Sequence, residues 1–316
     1  MGIIETLSAG FELVRRRPWL VLLPIVLDVG LWIAPKLSIL SLMRGLLGEA
    51  AASVAAYPDM ATRLPEMSQM LEKVAESANL GTLLSSGYLA VPSLPVAGTS
   101  FFGWTRQVVE VNSALGFVGL VAGLSLAGLM LGTLYLAPIA DQVRDGCVDW
   151  PSLAGRLPRY WLRLLGAWFL IALALTFLGF PMVLMLGLFG LFSQGLASLM
   201  LGLASFAVLW VAFYLAFVPE AILYGEDGVL QAVGHSINVV RMHFWSTLGL
   251  LVLVNVIMAG LAFIWERLAK SAPGAVLAIA GNAYIGTGLT AAVFVFYRER
   301  LQTWQQAIEQ LRSKLS

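Results

Sequence analysis

Apolar residues in this chain run in long uninterrupted blocks, without the alternation of a strand or the one-sided stripe of a surface helix. A helix needs about 20 mostly apolar residues to cross the hydrocarbon layer of a bilayer. Six blocks meet that length: Trp19–Leu42, Leu115–Ala140, Leu162–Leu188, Leu196–Tyr224, Phe244–Ile264 and Gly274–Tyr297. The first is the least clean, since it holds Pro24, Asp28, Pro35 and Lys36, although Lys36 at its end can snorkel to the surface. Gly190–Gly195 between the third and fourth blocks is short enough to make them a tight hairpin. The expected fold is therefore all-α: a polytopic membrane bundle of six transmembrane helices forming a single domain over residues 1–316.

One sizeable segment, residues 43–114, lies outside these blocks and is expected on the extracytoplasmic side. Gly45–Ala56 and Thr62–Leu80 have helical character and are separated by Tyr57-Pro58-Asp59. Ser85–Gly103 is apolar despite its prolines and glycines, which suits a loop lying on the membrane surface or on the spans.

A second pattern precedes spans one, three and five, where a short amphipathic stretch ends in basic and aromatic residues. Val14-Arg15-Arg16-Arg17-Pro18-Trp19 and Val240-Arg241-Met242-His243-Phe244-Trp245 share the form V-R-x-x-x-W. The middle copy, Ala154 to Trp161 with Arg156 and Arg159, is looser. Each reads as an in-plane helix at the cytoplasmic interface. Arg15, Arg159 and Arg241 would then reach lipid phosphates, with Trp19, Trp161 and Trp245 at headgroup depth. The chain becomes three units, each an in-plane helix followed by a transmembrane hairpin.

Composition reinforces lipid as the solvent. Charged residues make up 12% and hydrophobic residues 59%, with mean hydropathy +0.85, whereas a soluble domain carries about 25% charged residues. Most of the 19 Lys and Arg fall on one side of the expected bundle: Arg15 to Arg17, Arg144, Arg156, Arg159, Arg163, Arg241, Arg298, Arg300, Arg312 and Lys314. That bias places both termini in the cytoplasm. Net charge is +1, and no basic-aromatic platform for nucleic acid is present. Two acids, Glu5 and Glu12, precede the first basic cluster, and no small-residue cleavage site follows it, so the first span is expected to be retained. The myristoylation-like start Met1-Gly2 is read as chance.

The run Phe217-Val218-Pro219-Glu220-Ala221-Ile222-Leu223-Tyr224-Gly225-Glu226-Asp227-Gly228 is followed by Ala232 to Ser236 and by Arg241 to Trp245. It resembles a broad group of uncharacterised bacterial six-span proteins, related to the membrane domain fused to some glycerophosphodiester phosphodiesterases. The resemblance implies architecture and a bacterial plasma membrane. These residues hold no phosphodiesterase domain, so that activity is not carried over.

Four polar residues inside the spans are candidates for chemistry. Asp28 lies about 13–14 Å beyond Trp19 at roughly 1.5 Å per residue, near mid-depth. An ionisable group there is costly and faces protein or a watery cavity. It is either a proton- or cation-coupled site or, as preferred, a structural acid tying spans together through Asn255. Asn255 and Asn282 read as hydrogen-bonding links between helices. Glu220 follows the helix-disturbing Pro219, and a structural ion pair with Arg241 or Arg159 is preferred to a substrate site. Asp227 is positioned to cap the helix carrying His235 and His243. Two histidines and the single Cys147 are too few for a metal centre.

Catalytic motifs are absent: Gly123-Leu124-Ser125-Leu126-Ala127 only approaches a nucleophile elbow and lies inside a span. No catalytic residue, metal or cofactor is expected. The expected partner is the lipid bilayer, with other membrane subunits or further copies of the chain left open. The glycines Gly119-x-x-x-Gly123 and Gly128-x-x-x-Gly132, and Gly286 with Gly288, predict close helix packing. The expected role is an accessory, scaffold or assembly protein. A small-solute or ion carrier around Asp28 is the alternative, and a lipid enzyme a distant third.

Overall fold

A computed structural model describes residues 2–54, 64–85, 89, 91–94 and 107–315. Helices dominate, and five among the described residues are long and apolar enough to cross a membrane: Ala114–Asp145, Trp150–Phe189, Gly195–Leu223, Phe244–Leu268 and Ala272–Gln306. The protein is thus an all-α, multi-pass membrane protein.

In chain order the helices are α1 (Ile3–Arg16), α2 (Leu22–Ile33), α3 (Leu40–Val54), α4 (Leu64–Ser77), α5 (Ala114–Asp145), α6 (Trp150–Phe192), α7 (Gln194–Tyr214), α8 (Val218–Leu223), α9 (Val229–Met242), α10 (Phe244–Leu268) and α11 (Ala272–Leu315). Three-residue strands β1 (Lys36–Ser38) and β2 (Val108–Glu110) pair in parallel, Leu37 opposite Val109.

The first apolar block departs from expectation. It forms a 3₁₀ turn, Pro18–Val21, and the 12-residue α2, and then leaves the helix. Pro35 is the cause: its ring disfavours helical backbone at the preceding residue, and Ala34 is extended at φ −61°, ψ 150°. The chain beyond it becomes β1, an element that helical hydropathy does not foretell.

The third block departs in the other direction. No separate in-plane helix precedes it, because α6 is continuous for 43 residues through Pro158 and Pro181. Pro151 occupies its first turn, where a missing N–H costs nothing. Asp145-Gly146, with Gly146 at φ +72°, ends α5, and no break separates Trp161 from the span behind it. Ser193 interrupts α6 and α7 within the expected hairpin turn.

The other two copies of the amphipathic pattern are separate helices, and their likeness extends well past V-R-x-x-x-W. Both α1 and α9 have 14 residues. Each starts at an extended glycine, Gly2 (φ −74°, ψ 168°) or Gly228 (φ −70°, ψ 162°). The N–H of that glycine donates to the side chain three residues on, Glu5 at 2.9 Å or Gln231 at 3.3 Å. Each ends in a similar non-helical residue, Arg17 (φ −132°, ψ 64°) or His243 (φ −125°, ψ 39°), whose N–H closes the last turn onto Leu13 or Val239. Three buried positions correspond too: Thr6, Gly10 and Val14 in α1 with Ala232, Ser236 and Val240 in α9, where Val239 is buried in addition. Residues 2–17 and 228–243 are one local structure used twice; beyond it Pro18 opens a 3₁₀ turn and Phe244 an α-helix.

The chain divides into two compact units. One comprises Met1–Leu20, Thr133–Ala259 and Ile285–Ser316. Its core includes Ile139, Leu153, Tyr160, Leu164, Phe217, Ile222, Phe294 and Tyr297, with the Phe217 and Phe296 rings stacked at 5.8 Å. Here α1 crosses α11 at close range: a Cβ on Gly10 would lie 2.5 Å from the Gly288 carbonyl oxygen and the Ala292 nitrogen. In the sister position, Ser236 on α9 repairs the break between α7 and α8. Its hydroxyl donates to the Tyr214 carbonyl at 2.7 Å and accepts the Phe217 N–H at 3.2 Å.

The other unit comprises Val21–Gly132 and Gly260–Tyr284. Trp32, Leu94, Ala269, Ala275, Ala278 and Ile279 form its apolar cluster. Described residues of the segment 43–114 pack on the helices of this unit. Leu83 and Leu84 cover Gly128, and Leu89 covers Gly132 so closely that a Cβ there would meet it at 2.5 Å. Asn79 ties the segment down by accepting the N–H groups of Leu37 and Gly81. The expected helices over 45–56 and 62–80 appear as α3 and α4, while Tyr57-Pro58-Asp59 lies outside the described residues.

Candidate functional site

Asp28 on α2 is 1% exposed. Its partner is not Asn255. The Ser93 hydroxyl donates to one carboxylate oxygen, and the Leu94 N–H donates to the other at 3.0 Å. Leu94 also belongs to the apolar cluster with Trp32. The acid therefore anchors the segment around Ser93 and Leu94 to α2, and each oxygen holds a donor from it.

Asn255 faces outward and donates to the carbonyl of Leu251 in its own helix at 2.8 Å. An amide that satisfies itself on the preceding turn links no helices. Depth along the sequence placed it beside Asp28; rotation around the helix axis turned it away. Asn282 is 5% exposed, and its side-chain nitrogen has no hydrogen-bond partner among the described residues.

Glu220 is buried, and neither Arg241 nor Arg159 reaches it; both arginines are exposed. Among the described residues one of its oxygens, Oε2, has no hydrogen-bond partner, and neither does the hydroxyl of fully buried Tyr297. The aromatic neighbours of Tyr297 are Phe217 at 5.7 Å and Tyr224 at 6.2 Å.

The densest charged arrangement is one that sequence reasoning did not assemble. Asp141 near the end of α5 is 1% exposed and receives Arg144 at 2.6 Å on one oxygen and Arg156 of α6 at 2.9 Å on the other. Both arginines also reach Glu226, at 3.2 and 2.9 Å, and the Tyr160 hydroxyl donates to the same Glu226 oxygen at 3.1 Å. Arg163 donates to the Glu226 backbone carbonyl at 2.6 Å. The last turn of α5 and the loop after α8 are thereby held to one face of α6. Burial raises the affinity of the Glu226 carboxyl for its proton, but the bonds from Arg156 and Tyr160 outweigh it and hold the group below its ordinary value. Glu226 has φ +56°, the one non-glycine residue with positive φ among those described, a conformation usual only for glycine and asparagine-like residues. The Glu226-Asp227-Gly228 turn was the available signal; which arginines it would gather depends on chain segments far away in sequence.

Asp227 does not cap α9, a role taken by the Gly228 backbone. It pairs instead with His235 at 2.6 Å, whose ring meets Trp304 edge-on at 5.1 Å. Among the described residues no group of three or more His, Cys, Asp or Glu is placed to hold a metal.

Of the expected interface residues, Arg15, Arg159, Arg241 and Trp245 are exposed, with Trp245 at 79%. Trp19 and Trp161 are half-buried. Arg15 is ion-paired with Glu12 at 2.7 Å, and the Trp19 ring lies 5.2 Å from that of Trp150.

Compared with family models, with curated proteins and with solved structures, the chain matches none of them.

Proposed function

We propose that the chain is a non-catalytic accessory, scaffold or assembly protein of a bacterial plasma membrane. It crosses six times, with both termini in the cytoplasm. The observation that carries this reading is the state of Asp28. A carrier needs its intramembrane acid free to exchange a proton or cation, and both oxygens of Asp28 are committed to Ser93 and Leu94. The acid acts as a fastener for the extramembrane segment. The network around Asp141 and Glu226 serves likewise, joining the end of α5 and the loop after α8 to α6.

The sixth crossing is Pro18 to Ile33. Four residues at about 2.0 Å and twelve at about 1.5 Å span roughly 26 Å, close to the ~30 Å hydrocarbon thickness. The separate amphipathic helices α1 and α9 lie at the cytoplasmic interface in this reading, consistent with Arg15, Arg241 and Trp245 at the surface. The Pro219-Glu220 to Trp245 run adds the likeness to bacterial six-span proteins. A small-solute or ion carrier stays as the second reading because Glu220 and Asn282 each bury a polar atom without a partner; Asp28 does not favour it.

Reconstitution into proteoliposomes tests the choice. The wild type should carry no proton or alkali-cation flux above protein-free vesicles. Asp28→Asn should fold and lose about 1 kcal/mol, the worth of one hydrogen bond. A flux present in the wild type and abolished in folded Asp28→Asn overturns the proposal.

A further inference from the structure

The end of α1 and the end of α5 enclose a cleft of about 430 Å³, lined by Ala9, Glu12, Leu13, Arg16, Arg17, Gln142 and Gly146. Its two sides differ in chemistry. On the α1 side, the Arg17 side chain is exposed and makes no hydrogen bond or ion pair among the described residues. Arg16 uses its Nε–H on Glu12 at 2.7 Å, which leaves the donors of its two terminal nitrogens. Glu12 is the one acid on the wall. Its bonds to Arg15 and Arg16 hold its carboxyl down at about 2, and with both arginines counted this side remains positive.

On the α5 side the groups are polar and uncharged. Gln142 donates one side-chain N–H to the Gly146 carbonyl, which leaves its amide oxygen as an acceptor beside one remaining N–H. The C-terminus of α5 adds the negative end of a helix dipole. An isolated anion is poorly served by such a wall. A phosphate joined to a hydroxyl- or ammonium-bearing group is served at both ends. The cleft also sits where the chain turns from Arg17 into the apolar block through Trp19, beside the Trp19–Trp150 ring pair. Paired indoles mark headgroup depth.

We propose that this cleft binds one phospholipid by its head group, with the phosphate on Arg16 and Arg17 and the polar head toward Gln142 and Gly146. The duplicated helix supplies an internal contrast. In α9 the residues corresponding to Glu12, Arg16 and Arg17 are Asn238, Met242 and His243, so the sister corner lacks the guanidinium pair. Only Arg15 keeps its counterpart, Arg241. Generic attraction of interfacial arginines to lipid predicts equal contributions from the two helices. A built site predicts a large contribution from Arg17 and little from Arg241. The proposal rests on the membrane setting and not on the scaffold role, since a carrier or a scaffold can each hold a lipid.

The test is native mass spectrometry of delipidated full-length protein titrated with phosphatidylglycerol, with inorganic phosphate as competitor and folding followed by circular dichroism. One lipid should be retained. Arg17→Ala and Arg17→His, the second copying the sister corner, should each weaken retention roughly tenfold, one charge-assisted hydrogen bond being worth about that. Arg241→Ala should change it less than twofold. Equal losses from Arg17→Ala and Arg241→Ala overturn the proposal. Displacement of the lipid by equimolar inorganic phosphate also overturns it, in favour of a free-phosphate site, as does failure to retain any lipid.

Discussion

The crossing of α1 over α11 tests whether the first amphipathic helix is a docked element or one merely afloat at the lipid surface. The perturbation is Gly10→Ala. The added Cβ would meet the Gly288 carbonyl oxygen and the Ala292 nitrogen at 2.5 Å and the Ala292 Cβ at 2.7 Å. Two of these three atoms are backbone of one helical turn and cannot swing aside, so α1 must retreat. Overpacking of this kind costs about 1–3 kcal/mol, and rigid neighbours place the cost at the upper end. Against it stands the better helix propensity of alanine, about 1 kcal/mol. The net is a loss of about 1–2 kcal/mol. A freely lying α1 gives the opposite sign, a gain of up to about 1 kcal/mol. Gly234→Ala on the sister helix α9 is the matched control, because a Cβ there meets nothing within 4 Å, and it should gain that amount. Thermal or denaturant unfolding in one detergent reads both variants. The reasoning fails if Gly10→Ala stabilises the protein as Gly234→Ala does.

Two further expectations follow from other parts of the fold. On α5, Gly128→Ala and Gly132→Ala should each cost about 1–3 kcal/mol, since their Cβ atoms collide with Leu83 and Leu89 at 2.5 Å. Gly119→Ala and Gly123→Ala, with nothing within 4 Å, should be neutral or slightly stabilising in the same assay; equal effects at all four positions would contradict the packing. For Glu226, the folded carboxyl titrates below its unfolded value because Arg156 and Tyr160 outweigh burial. Its stabilisation is thus complete above the unfolded value, about 4.3, and is lost as pH falls through the lower folded value. The carboxyl is half exposed, so solvent screening limits the loss to about 1 kcal/mol or less. Glu226→Gln should flatten that segment of a stability–pH profile, and an unchanged slope would show that the pairing contributes nothing.

Membrane residence and helical class are readable directly from this sequence, because hydropathy over about 20 residues reports the solvent of a segment without reference to any other segment. The two short helices of the 43–114 segment and the break at Ser193 were legible for the same local reason. So was the V-R-x-x-x-W pair, although its full extent, from Gly2 and Gly228 onward, became visible only once both caps had the same geometry. Pro35 also stood in plain sight, and its effect on Ala34 is local. Its weight against a continuous apolar run decided where the first helix stops.

Other features depend on direction, which a sequence does not encode. Residue counting gives Asp28 and Asn255 a similar expected depth, yet Asp28 meets Ser93 and Leu94 while Asn255 bonds to Leu251 of its own helix. Depth scales with residue number, whereas azimuth depends on how each helix is rotated by its packing. Glu220 likewise was assigned Arg241 or Arg159 from its expected place near the inner end of its span, and neither reaches it; Arg144 and Arg156 gather instead around Asp141 and Glu226. Of two glycine pairs on one helix, one is covered and the other bare, for the spacing is identical and only the neighbouring backbone distinguishes them. Solvent preference is a property of a segment and survives in one dimension; partnership is a property of two surfaces and is decided when the chain closes on itself.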